Sequence, residues 1–166
     1  MIVKATTCCF TGHREAKLPW LSYEDDSRCL ELKKRLFDTV EAVYLSGARH
    51  FICGMANGTD MYFGEAVLKL RDMYGDLTLE AAIPYEGQAS RWPERLRTRW
   101  QAIASRCDYK TVIQAQYTSG CMMRRNRYMV DSSSVIIAVY NGSPGGTMQT
   151  LLYAMRSKLE IIELPI

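Results

Sequence analysis

At 166 residues the chain falls within the usual range of one domain, and folding at that size buries roughly two-thirds of the unfolded surface, enough for one ordinary core. A composition of 48% hydrophobic and 23% charged residues excludes a disordered or fibrous chain. A formal charge of +3 is too small to indicate a nucleic-acid partner without a clustered basic face, and no apolar stretch approaches the ~20 residues of a membrane span.

These features predict a single cytoplasmic domain over residues 1–166. Met1-Ile2-Val3-Lys4-Ala5 runs directly into a first strand expected over Ile2 to Phe10, and Glu15 to Ser27 is the longest irregular insert. Cys29, Leu32, Leu36, Val40 and Val43 then fall on one helical face that stops at Ser46-Gly47. A strand at His50 to Cys53 leads to a helix starting near Thr59, with Phe63, Val67 and Leu70 facing inward. After a strand at Leu77 to Pro84, Ser90 is expected to cap a third helix that carries Pro93 in its first turn and buries Trp92, Leu96, Trp100 and Ile103. Strands at Tyr109 to Gln114, Ser134 to Tyr140 and Leu159 to Leu164 alternate with helices from about Cys121 to Asp131 and Thr147 to Ser157.

Alternating strands and helices, with nearly all-apolar strands, predict an α/β fold: a Rossmann-like, doubly wound, mainly parallel sheet of about six strands with helices on both faces. Cys8, Cys9, Cys29, Cys53, Cys107 and Cys121 form no C-x-x-C pair, and neither His13 nor His50 has zinc-ligand spacing to them. Free thiols are expected, with no disulfide framework, metal or cofactor.

In open parallel sheets, ligands bind beyond the carboxyl ends of the strands. The distinctive residues fall there: Phe10-Thr11-Gly12-His13-Arg14, Cys53-Gly54-Met55-Ala56-Asn57-Gly58-Thr59-Asp60, and Tyr140-Asn141-Gly142-Ser143-Pro144-Gly145-Gly146-Thr147. Glycines let the backbone approach a phosphate, and the helix that follows offers unpaired N–H groups. Neither glycine loop has the G-x-G-x-x-G or G-x-x-x-x-G-K-[ST] spacing, which disfavours ordinary NAD enzymes and ATPases. The expected ligand contacts are Thr11, Gly12, His13, Arg14, Gly54, Gly58, Thr59, Asp60, Arg125, Asn126, Gly142, Gly145, Gly146 and Thr147.

Several of these carry two readings. Asp60 either accepts ribose hydroxyls or complements the dipole of its helix; Arg14 pairs with a phosphate or with a nearby Glu. His13 has the chemistry of an acid, a base or a ligand donor. Arg124, Arg125 and Arg127 open a helix against the usual dipole preference, which either an anion or a solvated basic face explains. Arg125 shares a face with Met122 and Met129, so it is the one expected to be half buried. Arg91, Arg95 and Arg99 recur every four residues, as snorkelling side chains beside tryptophans or as a phosphate-tracking edge.

Cys9-Phe10-Thr11-Gly12-His13-Arg14, Gly54-Met55-Ala56-Asn57-Gly58-Thr59-Asp60, Arg125-Asn126-Arg127-Tyr128-Met129-Val130-Asp131 and Gly145-Gly146-Thr147, in that order, resemble the YpsA-like branch of the SLOG superfamily. That superfamily also contains the Lonely Guy phosphoribohydrolases and the DNA-processing protein A domain. Glu15 stands where YpsA-like sequences commonly continue with proline. The resemblance implies a Rossmann-like sheet and a nucleotide-derived ligand, with no well-established reaction.

Lonely Guy enzymes use an arginine from Met-x-x-Arg-Lys and a glutamate in Pro-Gly-Gly-x-Gly-Thr-x-x-Glu. Met122-Met123-Arg124-Arg125-Asn126 is similar to the first and places Arg125 at the catalytic arginine, whereas Pro144-Gly145-Gly146-Thr147 is followed by Met148, Gln149 and Thr150, with no acid. Glycosidic cleavage needs a carboxylate, for which Asp60, Glu86 or Asp131 are the substitutes within the chain. The first expectation is therefore a nucleotide-binding, sensing domain. Nucleoside phosphate hydrolysis with Arg125 and Asp60 as catalytic residues comes second, and single-stranded nucleic-acid binding third. Lonely Guy relatives are often dimers, so the resemblance also implies a homodimer.

Overall fold

Six parallel strands and five α-helices alternate along residues 1–166 of the computed structural model, all of which are described. They are β1 (Thr7–Gly12), α1 (Ser27–Leu45), β2 (His50–Cys53), α2 (Thr59–Tyr74), β3 (Thr78–Ile83), α3 (Glu94–Ala104), β4 (Tyr109–Val112), α4 (Cys121–Asp131), β5 (Val135–Tyr140), α5 (Gly146–Arg156) and β6 (Glu160–Pro165). The sheet order is β4-β3-β2-β1-β5-β6. The chain thus steps outward from β1 to β4, crosses back over α4, and resumes at β5 on the other side of β1. The fold is the doubly wound α/β arrangement expected, with its switch point between β1 and β5.

Strand alternation divides the core. Cys8, Phe10, Phe51 and Leu79 face α1, α2 and α3, while Cys9, Ile52, Ala82 and Ile136 face α4 and α5. Helix α1 buries the five residues read as its inner face, and α2 buries Phe63, Val67 and Leu70. Phe63 stacks on Phe10 at a centroid separation of 4.8 Å and lies 6.4 Å from Phe51, so it joins α2 to the two central strands. Under α4, buried Glu80 accepts from His50 Nε2 at 2.9 Å and from Tyr128 hydroxyl at 2.6 Å. Burial pushes the Glu80 carboxyl up, but those hydrogen bonds outweigh it and hold the group below its ordinary value.

Three expected boundaries differ. Residues 4–6 form a 3-10 turn, and the first strand starts only at Thr7, the first residue with a ladder partner, His50. The third helix starts at Glu94 after Pro93, four residues beyond the expected cap; Trp92 precedes a proline, which disfavours the helical region, so Ser90 sits in a turn. Trp92 and Trp100 are only partly buried, against the expectation for that helix, whereas Leu96 and Ile103 are buried. Strand β4 ends at Val112 and, as an edge strand, leaves Tyr109, Lys110 and Val112 exposed rather than covered on both faces. All six cysteines are free, and no helix is long and apolar enough to cross a membrane.

Because Phe63 packs at full burial between two strands, Phe63→Ala should cost about 3–5 kcal/mol of unfolding free energy in urea titration. A loss below about 1 kcal/mol would show that α2 is anchored elsewhere.

Candidate functional site

A cavity of about 400 Å³ opens at the switch point, within the ~300–1,000 Å³ of small-molecule sites. Of the expected contacts, Thr11, Gly12, His13, Arg14, Asp60, Arg125, Asn126, Gly146 and Thr147 line it. Gly54, Gly58, Thr59, Gly142 and Gly145 do not. Those five lie behind or beside it, and three of them have definable roles there.

The loop after β1 is clipped to the start of α2. Thr59 donates both its hydroxyl, at 2.8 Å, and its N–H, at 3.2 Å, to the His13 carbonyl, and Asn57 Oδ1 accepts from the Glu15 N–H at 3.1 Å. Gly58 makes this approach feasible: its φ is +85°, and a Cβ there would lie 2.5 Å from the Glu15 nitrogen. Gly54 has the same function deeper down. A Cβ at that position would lie 2.9 Å from Arg125 Cζ and 3.0 Å from Asp60 Oδ2.

Arg125 is the arginine of its helix that the fold buries, at 4% exposure, more completely than expected. Its neighbours have other occupations: Arg124 donates to Gln114 at 2.6 Å, and Arg127 lies over the Tyr153 ring at 5.4 Å. The Arg125 Nη1 donates to the Gly54 carbonyl and, at 3.4 Å, to that of Ala82; Nε donates to Asn126 Oδ1 at 2.8 Å. Nη2 makes no hydrogen bond within the chain. Burial lowers the guanidinium pKa, with Asp60 opposing the shift.

Asp60 faces Arg125 across the Gly54 backbone without forming an ion pair. Its Oδ2 accepts from the Ala56 N–H at 3.0 Å. Burial pushes the Asp60 carboxyl up from its ordinary value, against the pull of Arg125, the Ala56 N–H and Arg14. Glu86 lies in a different cleft and Asp131 accepts from the Tyr153 hydroxyl at 2.7 Å, so neither of the other two acids reaches the cavity.

The opposite wall comes from β5 and α5. His13 Nε2 bonds Asn141 Oδ1 at 2.8 Å, and Nδ1 has no partner within the chain. Helix α5 carries no side-chain cap and no acid in its first turn, so its leading N–H groups remain open beside Gly146 and Thr147. Thr150, standing where the Lonely Guy comparison expects the glutamate, donates to the Gly146 carbonyl at 2.8 Å and accepts from Asn126 Nδ2 at 2.9 Å. That position ties α4 to α5 instead of supplying an acid.

Sequence reasoning missed Lys17, Ala16, Phe10, Ala56, Met122 and Met129 in the lining. Lys17 is the consequential one: the turn over residues 15–17 folds it back so that Nζ donates to the Pro144 carbonyl at 3.2 Å, beside the Gly145 backbone. Arg14 is exposed and makes no ion pair. The expected arginine row is largely neutralised, since Arg95 grips Glu15 in a bidentate pair at 2.8 and 3.1 Å, and Arg99 holds Glu24 and Glu65. Arg91 alone of the three has no carboxylate partner.

Residues 8–165 match the YspA SLOG family. The chain belongs to that family. A UPF0398 protein of Bacillus velezensis is 22% identical over 158 residues, 94% of this chain and 86% of its own, and the SPbeta prophage-derived protein YoqJ of Bacillus subtilis is 28% identical over 143 residues, 78% of this chain and 84% of its own. Among solved structures, the chain is similar to DNA processing protein A of Streptococcus pneumoniae, with a TM-score of 0.67 at 15% identity over 99% of this chain and 52% of that one. The Helicobacter pylori counterpart, solved for its single-stranded DNA binding mode, gives 0.64 at 16% identity over 99% of this chain and 66% of that one. At these identities the likeness to both is one of fold. The chain spans about half of the first and two-thirds of the second.

The raised Asp60 pKa fixes the sign of a pH effect. Its folded value lies above the ordinary 3.8, so the folded state binds more protons in the interval between the two and stability falls as pH rises through it. Asp60→Asn should therefore melt higher than the parent protein at pH 7, with the gap closing as pH falls through the raised value toward about 4. An Asn variant that melts lower at pH 7 would show that the ionised carboxylate stabilises Arg125 more than burial disfavours it.

Proposed function

We propose that this SLOG protein binds a nucleotide through its phosphate at the β1/β5 cavity, as a sensing or regulatory domain. The observation that carries the reading is the charge and donor arrangement there: Arg14, Lys17 and Arg125 face a single carboxylate, around the open N-terminus of α5. Fixed N–H donors and an excess of positive charge are what a phosphate needs. The phosphate belongs beside Gly146, Thr147 and Lys17, within reach of Arg125 Nη2. Asp60, Asn126 and His13 Nδ1 are then the groups for ribose hydroxyls and the base.

Cleavage of the N-glycosidic bond is the second reading, and Asp60 is the observation that favours it. It is the one carboxylate in the lining, and burial raises its pKa, the direction that favours the protonated form a general acid needs. Its side chain is nevertheless engaged by the Ala56 N–H, and Thr150 replaces the acid of α5. Binding is the conclusion these residues support. Single-stranded nucleic acid is the third candidate partner, because the Helicobacter protein of the same fold binds it.

A screen of nucleosides against their monophosphates by thermal shift tests the reading. At a hundredfold excess over Kd, a monophosphate should stabilise the protein by about 2.7 kcal/mol, several degrees in Tm, and the nucleoside far less. Lys17→Ala and Arg14→Ala should each weaken monophosphate binding without lowering the unliganded Tm, since both side chains are exposed. Equal shifts for nucleoside and monophosphate would remove the phosphate site. Release of free base, lost in Asp60→Asn, would replace binding by hydrolysis.

A further inference from the structure

A second cleft of about 580 Å³ lies along the same sheet edge, at the ends of β3 and β4. Tyr85, Gln88, Arg91, Trp92 and Tyr117 are its distinctive residues. Tyr117 is 62% exposed and meets Tyr85 edge-to-face at 5.4 Å, while Trp92 is partly buried against the core. Three aromatic rings in one open cleft beside an arginine without a carboxylate partner provide flat apolar surface next to positive charge. Protein interiors explain partly buried tryptophans, but they do not explain a tyrosine held out into solvent against another.

The cleft and the cavity are joined by specific contacts. Gln88, a wall of the cleft, donates Nε2 to the Gly54 carbonyl at 3.2 Å, and that same oxygen accepts from Arg125 in the cavity. Trp100 Nε1 donates to Gln88 Oε1 at 3.2 Å, which fixes the amide. Nearer the surface, the Glu15–Arg95 pair ties the loop that carries Arg14 to the helix that follows the Tyr85–Trp92 turn. Neighbouring strands are about 4.8 Å apart, so the gap between β3 and β4 lies about 14 Å along the edge from that between β1 and β5. At the ~3.4 Å rise of a stacked strand that is about four nucleotides, and fewer where the strand is unstacked and extended.

We infer that this aromatic cleft stacks a nucleobase of a single-stranded nucleic acid whose strand runs back to the β1/β5 cavity, where a nucleotide a few positions away is held. The inference rests on the cavity reading above and specifies its ligand. Base–aromatic stacking is tolerant of sequence because every base has a flat face, and the Arg91 guanidinium serves a phosphate flanking the stacked base. Glu15 neutralises Arg95 between the two subsites, which leaves the cations at either end, Arg14 and Lys17 on one side and Arg91 on the other, as the electrostatic contacts.

Fluorescence anisotropy with labelled hexauridylate, whose ribose hydroxyls remain free along the strand, competed by uridine monophosphate, tests it in the intact chain. The oligonucleotide should bind about tenfold more tightly than the monophosphate, as expected for one added stacked base. Tyr117→Ala should remove that gain and leave monophosphate binding unchanged, and Tyr117→Phe should retain it; an unchanged Tm confirms that each variant folds. Monophosphate binding with no gain from length, or with a gain that survives in Tyr117→Ala, overturns the cleft assignment alone. Oligonucleotide binding that depends on Tyr117 while the monophosphate fails to bind overturns the cavity reading alone. Tighter binding of a dinucleotide such as NAD, dependent on Tyr117, with no binding of hexauridylate, overturns single-stranded nucleic acid as the ligand.

Discussion

A guanidinium taken out of water must have its donors filled, and that constraint organises the carboxyl edge of this sheet. Arg125 reaches down from α4 to the Gly54 carbonyl, just past the end of β2, and to the Ala82 carbonyl, near the end of β3. For the guanidinium to reach them, residue 54 must lack a Cβ. For Asp60 to sit opposite, the loop between β2 and α2 must turn through Gly58, and that turn in turn receives the loop after β1. One buried cation thereby fixes the relative positions of three strand ends and two helices.

The strand order decides what that arrangement is near. Since β5 returns beside β1 rather than beside β4, the loops after β1 and β5 diverge and leave a crevice, and the N-terminus of α5 opens into it. A contact such as His13 to Asn141 spans most of the sequence, yet it follows directly from the pairing of β1 with β5. The glycines after β5 give α5 a start with no capping side chain. The open N–H groups are therefore a product of topology and of local sequence together.

Much of this was legible in the sequence because periodicity reports burial. The spacing of Cys29, Leu32, Leu36, Val40 and Val43 places them on one face, and all are buried; Arg125, sharing a face with Met122 and Met129, follows the same rule. What was not legible depends on contacts without period. Lys17 lies in an irregular insert, and its place beside Pro144 comes from a single short turn. The expectation for Arg95 and Arg99 used their four-residue repeat, which fixes their face on α3 but not what faces them; the carboxylates of Glu15, Glu24 and Glu65 arrive from other elements. The start of α3 was misplaced because Ser90 has capping chemistry, while the conformational restriction that Pro93 imposes on Trp92 is the stronger effect.

Asp60 and Arg125 remain the least comfortable pair in the molecule. Each is nearly excluded from water, each has its charged form disfavoured by burial, and no ion pair joins them, although both stand against the same glycine. Burying two opposite charges that do not touch is a poor way to stabilise a fold, since the desolvation of each is only partly offset. Such an arrangement is better accounted for by a third group that completes it. An anion with hydroxyl groups nearby satisfies both at once, the anion at Arg125 Nη2 and a hydroxyl at the free oxygen of Asp60. Phosphate beside a ribose has that pairing, whereas a free phosphate leaves the carboxylate unserved and an uncharged sugar leaves the guanidinium so. With Thr150 bracing α4 against α5, the one carboxylate of the cavity stands on the β2 side of the crevice, and a carboxylate engaged by a backbone N–H is better suited to hold a hydroxyl than to attack.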